Sequence, residues 1–399
     1  MAITSHDVTR LAGVSQPTVS RVSRALRDDP RVFRVSRGTR EKVRRAAASL
    51  ACVPSEAGRT LSTRATRRAG VIVTDLTNPS TRASARRARR PPPVLRPRPE
   101  GTPPPMTSAL PICLVQSAAY HHAAVGTLDA FAADVRRITR THPGTRLLAF
   151  PELHLSGHRP DEDPGDVMTA AAEPLDGPRD TALARIAREA GVWLVPGTLY
   201  ERGEDGRIYN TAPVYAPGGE RVAAYRKIFP WRPYETTAAG TEFVTFDLPG
   251  HGRVGLSICY DAWFPEVSRH LAWQGADLVL NLVRTPTVDR AQELVLARAH
   301  AIVNQVAMAS VNAAQPDGIG RSVVVDPEGR VRAEAASATE QLVTDVLDLG
   351  EARRVRAYGT AGLTRVWDPF EEGQAPLELP LYGGRIDPAR WRAGAGDAG

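Results

Sequence analysis

Residues 253–283 read RVGLSICYDAWFPEVSRHLAWQGADLVLNLV, and the hydrophobic period changes twice along them. RVGLSI (253–258) and DLVLNLV (277–283) are short apolar runs, which predict buried strands. Between them, 263–274 carries the 3.6-residue repeat of an amphipathic helix. Strand, helix and strand in succession predict a layered α/β sheet with helices covering it. The pattern continues outward. Helices are predicted at 128–140, 178–190 and 289–303. Strands are predicted at ICLVQ (112–116), RLLAF (146–150), VWLVPG (192–197), VAAY (222–225), QVAMASV (305–311) and RSVVVD (321–326). Gly218-Gly219 reads as a hairpin turn between 211–216 and 221–227.

Three of these strands run into a reactive side chain. RLLAF leads to Glu152, VAAYR to Lys227, and RVGLSI to Cys259 followed by Tyr260-Asp261. Functional groups in α/β proteins gather at strand carboxyl ends, where rigid backbone presents them to a crevice. Lys227 stands out by composition, since the chain has 49 Arg but only two Lys, Lys42 and Lys227. An ammonium is a compact point charge, able to fit between carboxylates where a planar guanidinium does not. Glu235 follows eight residues later, after Pro230 and Pro233. A thiol attacks as thiolate, a carboxylate can take and return its proton, and an ammonium can stabilise an oxyanion. Glu, Lys and Cys on separate strands thus supply base, electrophile and nucleophile for acyl transfer.

Phe150-Pro151-Glu152-Leu153, Tyr225-Arg226-Lys227 and Ser257-Ile258-Cys259-Tyr260-Asp261, in this order, resemble the nitrilase superfamily of carbon–nitrogen hydrolases over about residues 110–350. The resemblance implies a four-layer α-β-β-α sandwich, commonly paired into homodimers or larger homo-oligomers. It implies Glu152 as general base, Lys227 as oxyanion and amine-positioning group, Cys259 as nucleophile, Glu235 as supporting glutamate, and Tyr260 as a backbone N–H donor. YRKIFPWRPYE (225–235) is similar to the aliphatic amidase and formamidase branch. CYDAWFPE (259–266) is closer to the broader nitrilase and carbamoylase pattern, and Arg284-Thr285-Pro286-Thr287 matches neither. The expected reaction is hydrolysis of a small carboxylic amide through a thioester. Nitrile or N-carbamoyl amide hydrolysis is the alternative, and a DNA-binding regulator with a catalytically idle body is the alternative of another class.

The amino-terminal part differs in charge and texture. Residues 1–105 hold 22 Lys+Arg against 7 Asp+Glu, a balance of +15, whereas the remainder carries −8. Residues 4–26 show two short helical patterns around Ala12-Gly13-Val14, with Ser15 placed to cap the second, and a third amphipathic stretch follows at 36–50. The sum resembles the DNA-binding head of the lactose-repressor family over residues 3–79. By position, Gln16, Pro17 and Arg21 fall where that family reads the major groove, and Leu61 where a hinge leucine enters the minor groove. DNA is therefore an expected partner through residues 1–61. The resemblance ends after one strand of an effector domain, at 79. The Pro- and Arg-rich stretch 80–107 reads as a disordered linker, and 108–399 as the hydrolase domain with a tail. A gene fusion accounts for this order. So does a repressor frame running into a second gene that begins at Met106.

The start is polar and periodic, unlike a signal peptide, and no apolar run approaches the ~20 residues of a membrane span. Three well-separated cysteines imply no disulfide framework, and the expected setting is cytoplasmic. No phosphate-binding or dinucleotide fingerprint occurs, and no cofactor is expected. His121-His122, His154 and His158 lack a second ligand pair at metal-binding spacing and read as solvated loop histidines.

Overall fold

The structure is a computed structural model that describes residues 109–375, 377 and 384–386. Its strands are β1 (Ala109–Gln116), β2 (Leu147–Ala149), β3 (Trp193–Val195), β4 (Leu199–Arg202), β5 (Ile208–Tyr215), β6 (Arg221–Arg226) and β7 (Thr245–Leu248), then β8 (Gly252–Ile258), β9 (Leu278–Val283), β10 (Ala307–Asn312), β11 (Val323–Val325), β12 (Val331–Glu334) and β13 (Gln341–Asp348). The helices are α1 (Thr127–Thr141), α2 (Pro164–Ala171), α3 (Pro178–Ala190), α4 (Pro265–Trp273), α5 (Arg290–Asn304) and α6 (Gly350–Tyr358).

One sheet has the order β13-β1-β2-β3-β5-β4, with β6 also paired to β5, and the other the order β12-β11-β10-β9-β8-β7. Strands β1, β2 and β3 are parallel neighbours, as are β8, β9 and β10. Period-two alternation then builds the layers. Ile112, Leu114, Leu147 and Ala149 point inward and pack with Leu256, Ile258, Leu278, Leu280 and Leu282 of the second sheet. Cys113, Val115, Leu148 and Leu194 point outward onto Phe131, Val135 and Ile138 of α1 and Leu183 and Ile186 of α3. On the far side, Val279, Met308, Val323 and Val325 meet Val267 and Leu271 of α4 and Ala297 and Ala301 of α5. The result is an α-β-β-α sandwich. Strands covered on both faces are apolar at nearly every position, which is why LVLNLV shows no alternation, its one polar residue, Asn281, accepting a hydrogen bond from Ser257.

The helices and strands expected at 112–326 are present within a few residues, and the hairpin forms with Ala212 opposite Tyr225. The helix expected from 263 begins instead at Pro265, because Cys259–Trp263 forms a tight 3-10 turn first. Strands β4, β7, β12 and β13 and helices α2 and α6 were not foreseen. β13 pairs with β1 over eight positions, from Ala109↔Asp348 to Gln116↔Gln341. Its sequence QLVTDVLD is mixed because only Val343 and Leu347 are fully covered. Among the described residues, no helix is long and apolar enough to cross a membrane.

Candidate active site

Glu152, Lys227 and Cys259 each sit just past a strand end: β2, β6 and β8. Their loops are fixed by close backbone approach. Gly197, at φ 93°, lies against the Pro151 carbonyl, and a Cβ there would come within 2.0 Å of that oxygen. Its neighbour Thr198 accepts the Leu153 N–H at 2.9 Å. Gly240 lies against the Arg226 carbonyl in the same way, and its N–H donates to the Lys227 carbonyl at 2.8 Å. Both glycines are needed because any side chain would push apart the segments carrying Glu152 and Lys227.

Lys227 is 1% exposed. Its Nζ donates to Glu152 Oε1 at 2.9 Å and to Glu235 Oε2 at 2.6 Å. Asn210, from β5, bridges the same two carboxylates, donating Nδ2 to Glu152 Oε1 at 2.8 Å and to Glu235 Oε1 at 3.1 Å. Glu235 also accepts from Thr237 Oγ1 at 2.8 Å and from the Trp231 N–H at 3.0 Å. Burial works against the ammonium, but the charges of Glu152, Cys259 and Glu235 outweigh it and hold the Lys227 pKa well above the ordinary value. Burial likewise pushes the Glu235 carboxyl up, and the Lys227 charge and hydrogen bond overcome this to leave it below its usual range. The cluster is a buried cation held between two carboxylates.

Cys259 adopts φ 46°, the left-handed region that a residue with a Cβ rarely takes, and Leu153 beside Glu152 has φ 52°. The thiol is half-buried. Burial and the nearby Glu152 charge push its pKa well above the ordinary value, against the lowering effect of Lys227. Both partners lie within electrostatic reach of the thiol. Asp261 fixes this turn. It accepts the Ile258 N–H at 3.0 Å, the Phe229 N–H at 2.8 Å and the Tyr225 hydroxyl at 2.7 Å. The turn that carries Cys259 is thereby tied to the strand and loop that flank Lys227. Tyr260 packs edge-on against Phe264, 5.3 Å between centroids.

Sequence reading missed a second polar layer behind the sulfur. Thr285 Oγ1 lies 3.8 Å from Cys259 Sγ and donates to Glu293 Oε1 at 2.8 Å. Glu293 is in turn paired with the buried Arg290 at 2.9 Å. These residues lie on the unmatched 284–287 segment and on α5, and no spacing relates them to Cys259. The expected solvated character of His154 is overturned. It is 2% exposed and stacked on Phe150 at 4.8 Å, with no hydrogen-bond partner at either ring nitrogen. It faces the inner side of α1 because Tyr120 and Phe131 enclose it. His121 and His122 are partly buried rather than solvated. Gln16, Pro17, Arg21 and Leu61 lie outside the described residues.

His154 gives a stability prediction. Burial lowers its pKa to about 3, below the ~6.5 of an unfolded histidine. The ring is neutral in both states above pH ~6.5, and below it only the unfolded chain takes up the proton, so stability falls with pH at up to ~1.4 kcal/mol per unit. His154→Phe is expected to melt at or above the wild-type temperature at pH 7. Its advantage should grow by pH 5 in thermal melts, and an unchanged difference between the two pH values would count against this account.

The family model "Carbon-nitrogen hydrolase" matches residues 113–357, and "Bacterial regulatory proteins, lacI family" matches residues 4–55. The chain is 31% identical to omega-amidase NIT2 of Homo sapiens over 53% of its length and 80% of that protein's. It is 31% identical to a formamidase of Bacillus cereus over 45% of its length, and spans about half (53%) of that relative. Among solved structures, the amidase of Nesterenkonia sp. AN1 superposes with a TM-score of 0.53 at 28% identity, covering 62% of this chain and 97% of that one. A cysteine-to-alanine variant of that amidase has been solved in complex with butyramide.

Proposed function

This chain belongs to the carbon–nitrogen hydrolase family, and from that premise we propose that it hydrolyses a small carboxylic amide through a thioester on Cys259. The observation that carries the reading is the Glu152–Lys227–Glu235 cluster lying within electrostatic reach of a left-handed, half-buried thiol.

Glu152 Oε1 is occupied by Lys227 and Asn210, which leaves Oε2 as the oxygen available to take a proton. Since burial pushes the thiol pKa up, attack is coupled to transfer of its proton to Glu152 as the C–S bond forms. The developing oxyanion is met by the Lys227 ammonium and the Tyr260 backbone N–H. Collapse of the tetrahedral intermediate breaks the C–N bond, and Glu152 returns the proton to the departing ammonia. Water, deprotonated by Glu152, then attacks the thioester and releases the carboxylic acid and the thiol. Glu235 and Asn210 fix the ammonium so that it need not reorganise during these steps. Short acyl groups are favoured because the named relatives are amidases and the Nesterenkonia enzyme holds butyramide.

A panel of short amides, nitriles and N-carbamoyl compounds, quenched and weighed as intact protein, tests the assignment. The expected result is an acyl mass gained from short amides and lost on Cys259→Ala. Accumulation from nitriles or carbamoyl compounds alone would replace the amidase reading with one of those reactions.

The lacI-family match favours a second activity, DNA binding by the head. Anisotropy with duplex DNA is expected to show affinity falling steeply as salt rises, since phosphate contacts release counterions. Removal of residues 1–105 should abolish the signal. Undiminished binding by the remaining chain would remove the head from this role.

A further inference from the structure

We propose that His121, His122 and Glu162 form a binding site for a borderline divalent metal ion, Zn2+ being the ion the donor set suits. Among the described residues this is the one trio of His, Cys, Asp or Glu whose ligand atoms all lie within 4.8 Å of one another. His121 Nε2 is 2.9 Å from Glu162 Oε2, and His122 Nε2 is 3.7 Å from Glu162 Oε1. Two ligands of a tetrahedral zinc with bonds of ~2.0–2.1 Å stand ~3.3 Å apart, so the trio is near closing distance before any ion arrives. Two imidazoles and a carboxylate leave a fourth position for water, the pattern of an open zinc site.

The fold explains why these residues meet although 41 positions separate His121 from Glu162. β1 and β2 are adjacent and parallel, so the loops leaving their carboxyl ends run side by side. A bridge at His121↔Gly157 and the His122 N–H to Gly157 carbonyl bond at 2.8 Å fix that pairing. The site is only partly shielded, with side-chain exposures of 27% for His121, 12% for His122 and 19% for Glu162. Two contacts must yield to the ion. Arg159 donates its guanidinium to Glu162 Oε1 at 3.1 Å, but this side chain is 65% exposed and can turn to solvent. His121 Nε2 donates to the carboxylate while Nδ1 accepts weakly from the Ala123 N–H at 3.3 Å, and the ion would displace the Nε2 proton. The Arg159 N–H to Glu162 Oε2 bond at 2.7 Å can remain and orient the ligand. A bound ion would then staple the loop after β1 to the loop that begins at Glu152.

The test uses the full chain carrying Cys259→Ala, so that zinc cannot be read at the thiol. Calorimetric titration with ZnCl2 is expected to give one saturable site, and thermal melts should rise with added zinc but not with Mg2+. His122→Ala and Glu162→Gln should each weaken that site by at least ~10-fold. Their metal-free melting temperatures, compared with the parent's, show that the loop pairing survives. Zinc binding of equal stoichiometry and affinity in parent and both variants would overturn the proposal. So would the absence of a saturable site in the parent, leaving the trio as a hydrogen-bonded surface cluster.

Discussion

Cys259→Ala is expected to abolish amide turnover, lowering kcat by roughly 10^4-fold or more, the scale seen when a covalent nucleophile is removed. The melting temperature should stay within a few degrees of wild type. The fold depends little on this sulfur, whose polar contacts are a long 3.8 Å approach to Thr285 and a backbone contact with Arg284. Alanine keeps the Cβ, so the left-handed strain at φ 46° is retained rather than relieved. Lost burial of one sulfur costs about 1 kcal/mol. A clean separation follows, with chemistry lost and stability kept. Ammonia release is the readout, on a short amide at saturating concentration. Retention of more than a tenth of the wild-type rate would mean that the C–N bond is broken without this thiol, and the whole mechanism would go with it.

The β-α-β stretch, the inward-facing runs and the three strand-end reactive residues were legible because local period and residue chemistry encode them. Lys227 was the more conspicuous because arginine does every other cationic task in the body of the chain. Asn210 was invisible. It is one polar residue in a buried strand, and its value lies in facing two carboxylates that are 58 and 25 residues away. The Thr285–Glu293–Arg290 layer is likewise a product of β9 and α5 being brought behind β8, which no spacing reports. The error over His154 has the opposite cause. A histidine in a loop with no strand or helix period looks solvated in sequence, even between Leu153 and Leu155, but parallel pairing of β1 and β2 folds its loop inward beneath α1. Edge strands such as β12 were lost because water covers their outer positions, and the apolar signal fades with it.

Lys227→Met should damage both activity and stability, unlike the cysteine change, because the ammonium is the counter-charge of two buried carboxylates. Methionine nearly fills the space but leaves Glu152 and Glu235 facing the same Asn210 with no cation between them. Removing one partner of a buried ion pair costs about 3–5 kcal/mol, a fall in Tm on the order of 10 °C. The pH dependence identifies the cause. Two like charges in one pocket force one carboxyl to hold its proton, raising its folded pKa above the ~4.3 of an unfolded glutamate. A raised carboxyl pKa confers stability that is intact below the unfolded value and is lost as pH climbs through the folded one. The variant should therefore melt progressively lower between pH 5 and 8 relative to wild type, whose Glu235 is held below the usual range by Lys227. Lys227→Met/Glu235→Gln should recover much of the lost stability, since one charge is removed, while hydrolysis stays low for want of an oxyanion partner. A single variant whose melting deficit is the same at pH 5 and pH 8 would show that packing, not charge, is what Lys227 supplies. Recovery of hydrolysis in the double variant would show that the ammonium serves the carboxylates alone and not the reacting carbonyl.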